Sequence, residues 1–367
     1  MEQKSFADIF EDVTKQAVKI QKKDYLPTGR YPIIDQGQEW CAGYTDREDG
    51  LFQDVPAYIF GDHTRIIKYT DEPFYLGADG VKLLKLREGI QANPRFFYYA
   101  LKSQRIPDTG YNRHFKWLKE SLYHVPTLNE QTHIADTLDT LSTLITLCKT
   151  KIFLFDELVK SRFVELFGDP VTNPMGWENV PLSELAEIRI GPFGTLLHKE
   201  DYIEGGHPLV NPSHIYEGNI VTDNKLTISD EKYEELSAYH LYENDVVMGR
   251  RGEMGRCAVV TNSGLLCGTG SMVIRPLGEV RADFLQKIIS FPSFKKMIED
   301  MAVGQTMPNL NAPIVSRLEI IKPPSDVQDA YYDFVALTDK SKLVLRQLLE
   351  KQCTLKAALM QEYFAAH

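Results

Sequence analysis

The sequence predicts an α+β fold, in which two globular α/β units form an internal repeat and each unit is followed by a long helix. Three observations support this prediction. The same passages recur in the same order in both halves of the chain. Short strand-like runs punctuated by Gly, Asp, Asn and Pro fill most of each half. Two segments then repeat apolar side chains at the heptad spacing of a coiled coil.

The repeat appears as a series of matched passages. SFADIFEDV at 5–13 matches PLSELAEIR at 181–189, and YPIIDQG at 31–37 matches HPLVNPS at 207–213, both at an offset of 176. DVPAYIFGDHT at 54–64 shares the outline of NDVVMGRRGE at 244–253, and GADGVKLL at 77–84 falls on GTGSMVIR at 268–275, an offset of 191. Pro126 and Gln131 fall on Pro323 and Gln328, an offset of 197. The growing offset predicts loop insertions in the second copy, and the unbroken order indicates a duplication.

Each globular unit is predicted to mix strands and helices. The first spans 1–127 and the second 168–324. Runs such as AYIFG, DVVMG and LEIIK are rich in β-branched and aromatic residues and read as short strands. The stretches RFFYYALKSQ and ADFLQKIISF have helical spacing, which makes each unit α+β rather than all-β.

The segments 128–167 and 325–367 are predicted as two long helices. Apolar residues of the first alternate at four and three residues, as in a coiled-coil seam: Ile134, Leu138, Leu141, Ile145, Cys148, Ile152, Phe155 and Val159. The second carries Leu345, Leu348, Leu355 and Leu359, with Thr338, Ser341 and Gln352 at polar positions. GDPVTNP at 168–174 ends the first helix as a linker. The alternative is two amphipathic helices, each packed on its own unit. The helical length, roughly 50–60 Å at ~1.5 Å per residue, favours the coiled coil.

Composition places the chain among globular proteins of a reducing compartment. Of the 367 residues, 43% are apolar and 25% charged, and no apolar run approaches the ~20 residues of a membrane helix. The N-terminal stretch lacks the apolar core of a signal peptide. Five Cys without a CxxC pair predict reduced thiols, and hence a cytoplasmic protein. The net charge of −10 argues against a general polyanion binder, but allows a sequence reader with a basic face.

The motifs of nucleotide, metal and methyl-transfer chemistry are missing from the sequence. There is no G-x-x-x-x-G-K-[ST] loop, and the nine His never fall at HExxH or another metal spacing. NPSH at 211–214 lacks the second Pro and the aromatic residue of an amino-methyltransferase loop, and GRRGEMG lacks a strand–loop–helix context. We therefore expect no cofactor, no metal and no catalytic role.

Several passages, taken together, resemble the specificity subunits of type I restriction–modification enzymes. They are MGWENVPLSELAEIRIGPFG at 175–194, HPLVNPSHI, DVVMGRRGEMGRCAVV and GQTMPNLNAPIVSRLEIIKPP. The resemblance covers nearly the whole chain, but the first half has no GW at the start of its unit and is about thirty residues shorter. It implies two target-recognition domains that read the two halves of a split double-stranded DNA site. It also implies antiparallel helices that act as a spacer and dock methyltransferase subunits, joined by nuclease/translocase subunits.

Side chains with two-pronged hydrogen bonding are the groups that discriminate bases, with Arg suited to guanine and Asn or Gln to adenine. The loops after the strands offer such groups in both units. In the first unit they are Gln36, Gln38, His63, Thr64, Arg65, Asn112, Arg113, His114 and Lys116, with Asp62 beside them. In the second unit they are Asn211, Ser213, His214, Arg250, Arg251, Gln305, Thr306, Asn309 and Asn311. The alternative for each cluster is an ordinary solvated turn.

The charge of the two units bears on how they would bind DNA. Residues 1–127 carry 18 basic and 18 acidic side chains, and residues 168–324 carry 14 and 21. Since phosphate neutralisation supplies much of DNA affinity, we expect weak binding by this chain alone, with partner subunits clamping the duplex. The competing function is a two-lobed, non-catalytic protein-binding adaptor.

Overall fold

The structure is a computed structural model, and it describes residues 2–77, 80–110, 112–193, 196–252, 254–302 and 309–364. The chain divides into two units: Met1–Ile152 with Leu343–His367, and Phe153–Lys342. Each unit combines strands, short helices and part of each long helix. This confirms the predicted α+β class.

The first unit is built around a central buried strand. Its elements are β1 (Glu2–Ser5), α1 (Phe6–Ile9), β2 (Phe10–Asp12), β3 (Tyr31–Ile34), β4 (Gly43–Thr45), β5 (Ala57–Gly61), β6 (Ile67–Thr70), β7 (Tyr75–Leu76), β8 (Val81–Leu86), α2 (Pro94–Lys102), α3 (Phe115–Lys119), β9 (Leu122–Val125) and α4 (Leu128–Phe167). The sheets have the orders β2-β8-β5-β6, β4-β3-β7 and β1-β9. Every residue of β5 is buried, so both of its faces belong to the core.

The second unit repeats this plan with additional elements. They are β10 (Glu178–Pro181), α5 (Leu182–Leu185), β11 (Ala186–Ile190), β12 (Tyr202–Ile203), β13 (His207–Val210), β14 (Ile215–Tyr216), β15 (Asn219–Ile220), β16 (Thr227–Ile228), α6 (Asp230–Glu235), β17 (His240–Leu241), β18 (Val246–Gly249), β19 (Cys257–Val259), β20 (Leu265–Cys267), β21 (Ser271–Pro276), α7 (Ala282–Ile289), α8 (Pro292–Met301), α9 (Ala312–Ser316), β22 (Glu319–Lys322) and α10 (Ser325–Phe364). The sheets have the orders β11-β21-β18-β19, β12-β16-β13-β20-β17, β10-β22 and β14-β15.

The strand pairing of the two units confirms the internal repeat. The order β2-β8-β5-β6 corresponds to β11-β21-β18-β19, and β1-β9 corresponds to β10-β22. Among the strands named for the described residues, each unit has a single parallel pair: β3 with β7 in the first, and β13 with β20 in the second. The elements that the second unit adds include β14, β15 and α8.

The match of GADGVKLL with GTGSMVIR is shifted by one residue over part of its length. The Gly77 amide donates to the Ile34 carbonyl and the Gly268 amide to the Val210 carbonyl, so Gly77 and Gly268 are equivalent as predicted. However, Gly61 lies opposite Val81, whereas Gly249 lies opposite Ser271. Val81 is therefore equivalent to Ser271 and not to Met272, because the second copy has a turn one residue shorter before β21.

The two long helices pack together and run antiparallel within each unit. In the first unit, the Lys356 ammonium in the last quarter of α10 donates over 2.5 Å to Ser142 Oγ in the first half of α4. In the second unit, Lys342 of α10 donates to Asp156 of α4 over 2.8 Å, and the rings of Tyr331 and Phe163 lie 5.6 Å apart. Because these contacts join the two helices, packing of each helix on its own unit alone is ruled out.

The buried row of α4 matches the predicted seam. Ile134, Leu138, Leu141 and Cys148 are buried, and Ile145, Ile152, Phe155 and Val159 are half-buried.

The buried row of α10 differs in part from the predicted one. Leu345 and Leu359 are half-buried as expected, but Leu348 and Leu355 are 43% and 50% exposed. Their predicted place in the seam is wrong, because the buried row passes through the next residues along the helix, Leu349 and Lys356. It runs through Thr338, Lys342, Leu345, Leu349, Gln352, Lys356 and Leu359, at alternating steps of four and three.

No helix in the described ranges is long and apolar enough to cross a membrane.

Candidate nucleic-acid interface

The three predicted loops of the first unit meet at the end of β5. Thr64 Oγ1 donates to the Gln36 carbonyl over 2.8 Å, and the His63 amide donates to Gln36 Oε1 over 3.3 Å. His63 Nδ1 lies 3.1 Å from the Asn112 carbonyl. The segments 36–38, 62–65 and 112–116 therefore form one surface, although they are distant in the sequence.

Asp62 is buried beneath this surface and connects two of its loops. It is 4% exposed, its Oδ1 accepts from the Phe115 amide over 2.8 Å, and its carbonyl accepts from the His114 amide over 2.8 Å. These bonds attach the loop before α3 to the turn after β5. Asp62 therefore has a positioning role.

Two of the predicted residues in the first unit are tied into the fold. His114 is fully buried, with Nδ1 3.0 Å from the Asp62 carbonyl and Nε2 3.4 Å from Thr109 Oγ1. Arg65 has a positive φ of 62° and pairs with Asp108 over 2.7 Å. Neither side chain is presented outward as an unengaged group.

The other members of the set reach the surface. Gln38, Thr64, Asn112, Arg113 and Lys116 are exposed, while Gln36 and His63 are half-buried. The Lys116 ammonium lies 4.1 Å from the centre of the Trp117 ring.

Two further lysines that were not predicted lie beside this set. Lys82 and Lys119 have their ammonium groups 5.1 and 5.4 Å from the centre of the Phe115 ring. The alternation of VKLLKL places Lys82 on the outer face of β8, which could have indicated it. No sequence pattern brings β8 beside α3.

In the second unit, the loop after β13 is a tight turn. His214 is 7% exposed, and its Nδ1 lies 2.8 Å from the Leu209 carbonyl, so the imidazole supports the turn from inside. Asn211 is half-buried, and a side chain at Gly268 would meet its Oδ1 at 2.1 Å. Ser213 is exposed.

Arg250 occupies the place that Asp62 has in the first unit. The Asp62 amide donates to the Gly80 carbonyl and the Arg250 amide to the Gly270 carbonyl, each immediately after its strand. Arg250 is 5% exposed; its Nε donates to the Thr269 carbonyl over 3.3 Å and its Nη1 to Asn309 Oδ1 over 3.1 Å. The Leu310 amide donates to the Arg250 carbonyl over 3.0 Å.

The charge of Arg250 is only weakly compensated. Burial, and then the neighbouring Arg251 charge, lower the pKa of its guanidinium from the ordinary value. Its hydrogen-bond acceptors are neutral, and no carboxylate pairs with it among the residues that the structure describes. Arg250 is therefore a buried cation that is held by neutral oxygens of two other segments, Thr269 and Asn309.

Arg251 differs from Arg250 in accessibility. It is exposed, and its side chain makes no hydrogen bond or ion pair within the described ranges. Its backbone bridges to Asn309, which is half-buried. Asn311 is exposed, but its Oδ1 caps α9 by accepting from the Ile314 amide over 3.0 Å. The predicted residues Gln305 and Thr306 lie outside the described residues.

Metal-binding chemistry finds no support in the parts of the chain that the structure describes. They contain no group of three or more His, Cys, Asp and Glu side chains that could hold a metal ion.

Comparisons with known proteins identify relatives. A family model, "Type I restriction modification DNA specificity domain", matches residues 1–153 and 174–351. The chain is 29% identical to the type I restriction enzyme EcoR124I/EcoR124II specificity subunit of Escherichia coli over 96 residues, 26% of this chain. The aligned stretch spans only 23% of that relative's length.

Two solved structures have a similar fold. One is the type I restriction–modification S subunit from M. genitalium, with a TM-score of 0.61 at 19% identity, covering 100% of this chain and 96% of that one. The other comes from a study of complex assembly and conformational transition of the type I system, with a TM-score of 0.59 at 14% identity, covering 99% and 97%. Since the family model covers most of the sequence, the chain belongs to the type I restriction modification DNA specificity family.

Proposed function

We propose that this chain is the DNA sequence-recognition subunit of a type I restriction–modification complex, reading two halves of a split site. One observation carries the proposal. In each unit the surface loops are joined by the residue that directly follows the central strand, β5 or β18, and the polar side chains of these loops differ between the units. This joining residue is Asp62 in the first unit and Arg250 in the second. A common framework with different polar groups suits two readers of different sequences.

The proposed layout assigns one task to each segment. Residues 1–127 and 168–324 are the two target-recognition domains, and 128–167 and 325–367 are the spacer helices. The pairing of α4 with α10 in each unit supports the spacer assignment.

Accessibility sorts the candidate reading residues into two groups. We assign base contacts to the exposed amide and guanidinium groups of Gln38, Arg113 and Arg251, which have two-pronged geometry. Asn112 is exposed too, but its Nδ2 donates to the Thr109 carbonyl over 2.6 Å, so we assign it a contact through its Oδ1 acceptor. Lys116 and Ser213 are suited to phosphate contacts, whereas Thr64 is exposed but its hydroxyl already donates to the Gln36 carbonyl and so positions the loop. The buried groups His114, His214 and Arg250, together with Asn309, position the loops. Gln305 and Thr306 remain predicted contacts.

The scaffold role is assigned to the outer faces of the helices. Leu147, Leu154 and Leu158 of α4 are about half exposed, and Leu337, Val344 and Leu348 of α10 are 43–66% exposed. Both sets step by seven and then four residues, which places each set on one helix face. Exposed apolar faces of this kind mark protein contacts, so we assign them to methyltransferase subunits, with nuclease/translocase subunits joining that core.

We propose further that the chain is non-catalytic and acts in the cytoplasm. The sequence lacks a loop for S-adenosylmethionine, so calorimetric titration of the purified chain with that cofactor should give no heat of binding. Binding near micromolar affinity would contradict the recognition-only role. The five separated cysteines, none of them in a CxxC pair, support the location.

The decisive experiment compares the methylated sites of the host genome with the gene present and deleted. We expect one split motif to lose methylation on deletion and to regain it on complementation. Purification of the chain with its partners should recover a methyltransferase subunit. An unchanged methylome, with partners unrelated to methylation, would support the adaptor function instead.

A further inference from the structure

The first unit contains an open groove that adjoins the assigned recognition surface and extends beyond it. It has a volume of about 780 Å³ and lies between β6, the outer face of α2 and the loop that carries Trp40. This volume falls within the ~300–1,000 Å³ typical of small-ligand sites. Gln38, Thr64 and Arg65 line its rim, which makes it continuous with the proposed DNA surface.

Aromatic side chains in fixed positions form the walls. Trp40 is 44% exposed, yet its Nε1 donates to the Tyr69 carbonyl over 3.2 Å, which holds the indole in place. The Tyr69 and Tyr98 ring centres are 5.8 Å apart. A large aromatic ring that is exposed and anchored is suited to stacking on a flat ligand.

The lining is cationic. Arg65, Lys68 and Lys102 contribute to it, and it includes no carboxylate among the described residues. Arg65 and Lys68 are paired with Asp108 and Asp35. The Lys102 ammonium lies 5.2 Å from the centre of the Tyr98 ring and, within the described chain, has no carboxylate partner. The groove therefore offers a positive charge beside aromatic rings.

The second unit closes the equivalent place. Asn93 and Arg281 are equivalent because their amides donate to Gln131 and Gln328, so Tyr98 corresponds to Gln286. There the Gln286 side-chain amide donates to the Cys257 carbonyl over 3.4 Å. The β14–β15 turn lies directly against Gln286, since a Cβ added at Gly218 would be 3.0 Å from the Gln286 Nε2.

The inserted helix α8 covers the neighbouring turn of the second unit. A side chain at Gly255 would meet Lys295 at 3.4 Å and Ile298 at 3.7 Å, and Phe294 and Ile298 are fully buried. The groove of the first unit is thus open where the second unit carries insertions. Its aromatic lining has no counterpart at Gln286.

We propose that this groove binds an unstacked nucleotide of a DNA strand, with the base on Trp40 and a phosphate near Lys102. The combination of exposed aromatic faces and an uncompensated cation is the one by which proteins hold single-stranded nucleic acid. The inference rests on the proposed role in DNA binding and adds a ligand class to it. Lysines are depleted at the core of protein interfaces, so the presence of Lys68 and Lys102 in the lining favours a nucleic acid over a protein partner.

The test uses the full-length protein and labelled octathymidylate, (dT)8, followed by anisotropy and tryptophan fluorescence. We expect (dT)8 to quench fluorescence and Trp40→Ala to weaken its binding at least about fivefold, as loss of a stacking contact does. Trp40→Phe should keep affinity within about threefold while losing the quenching. Lys102→Ala should weaken binding and flatten its dependence on salt.

Tyr242→Ala is the matched control, because Tyr242 is 50% exposed and lies 4.6 Å from the Arg275 guanidinium in the second unit. It should leave (dT)8 binding unchanged, and all variants should keep the wild-type melting temperature. Equal binding by Trp40→Ala and wild type, or equal loss in Trp40→Phe, would overturn the proposal. Quenching by an acidic, tyrosine-containing peptide but not by (dT)8 would assign the groove to a protein. The methylome comparison tests the recognition role independently of this groove. The groove proposal can therefore fail while the recognition role is supported, and the reverse.

Discussion

Gln131 and Gln328 occupy the same position in the two units and make the same hydrogen bonds. Each Nε2 donates over 2.9 Å to the carbonyl of the Pro five residues earlier, Pro126 or Pro323. Each Oε1 accepts the backbone amide of a helix N-cap residue, from Asn93 at the start of α2 over 2.8 Å and from Arg281 at the start of α7 over 3.5 Å. With exposures of 1% and 2%, both amides are buried, and they fasten the start of each long helix to its globular part. This explains the repeated Pro-x-x-x-x-Gln.

The first prediction concerns this junction. Gln131→Leu leaves the Asn93 amide and the Pro126 carbonyl without a partner and should destabilise the first unit by about 2–4 kcal/mol. Gln328→Leu should cost less, because its bond to Arg281 is longer. Urea unfolding followed by circular dichroism measures both effects. Gln347→Leu, at an exposed position on α10, is the control and should leave the transition unchanged. Equal stability of Gln131→Leu and the control would mean that the buried amide contributes nothing.

The long helices show where sequence reasoning succeeds and where it stops. The seam of α4 could be predicted because apolar residues occupy its row. The row of α10 could not, because Lys342 and Lys356 enter it by bonding to Asp156 and Ser142. Their alkyl stems cover apolar surface while the ammonium groups find polar partners, which a count of apolar positions does not register.

The recognition loops show the same limit. The segments that form the surface of the first unit could be predicted, because a strand followed by a polar turn can be recognised in the sequence. Burial of His114 and Arg250 depends on contacts with Asp62 and Asn309, which lie far away in the chain. Whether a loop residue faces outward or supports the loop is therefore decided by tertiary contacts.

The second prediction separates Arg250 from Arg251. Arg251→Ala removes an exposed two-pronged donor and should relax the choice of one base by about 1–3 kcal/mol without changing stability. Arg250→Ala removes the bonds to Thr269 and Asn309, so it should weaken binding to every sequence and lower the melting temperature. Binding of the assembled complex to duplexes with each base substituted in turn measures the difference. Lys225→Ala, an exposed cation in a distant loop, serves as the control. A uniform loss with Arg251→Ala would instead make that residue a phosphate contact.

The third prediction concerns the division of labour. Replacing residues 1–127 by the first domain of another family member should change one half of the methylated motif and leave the other half as it was. The physical reason is that the first and second units have separate cores and separate loop surfaces. Sequencing of methylated sites in cells carrying the exchanged chain gives the readout, with a reciprocal exchange of 168–324 as its counterpart. A simultaneous change in both halves would contradict the two-reader assignment.

The last prediction uses the helices as a ruler. If α4 and α10 act as a spacer, their length fixes the gap between the two halves of the DNA site. Each helical residue adds ~1.5 Å, and a base pair adds ~3.4 Å, so four residues correspond to nearly two base pairs. Four residues are also close to one helical turn of ~3.6, which keeps the buried row facing its partner. The insertion belongs after Lys149, inside the buried row of α4.

The pairing in the first unit shows how to keep the helices matched. Ser142 contacts Lys356, and seven residues further along each antiparallel helix lie Lys149 and Leu349. Four residues inserted after Lys149 together with four after Leu349 should give the same two half-sites with a gap longer by about one or two base pairs. Two residues inserted after Lys149 should rotate the row by about half a turn, misplace Ile152 and Phe155, and abolish assembly. Methylome sequencing reads the gap directly. An active four-residue variant with an unchanged gap would show that the helices do not set the spacing.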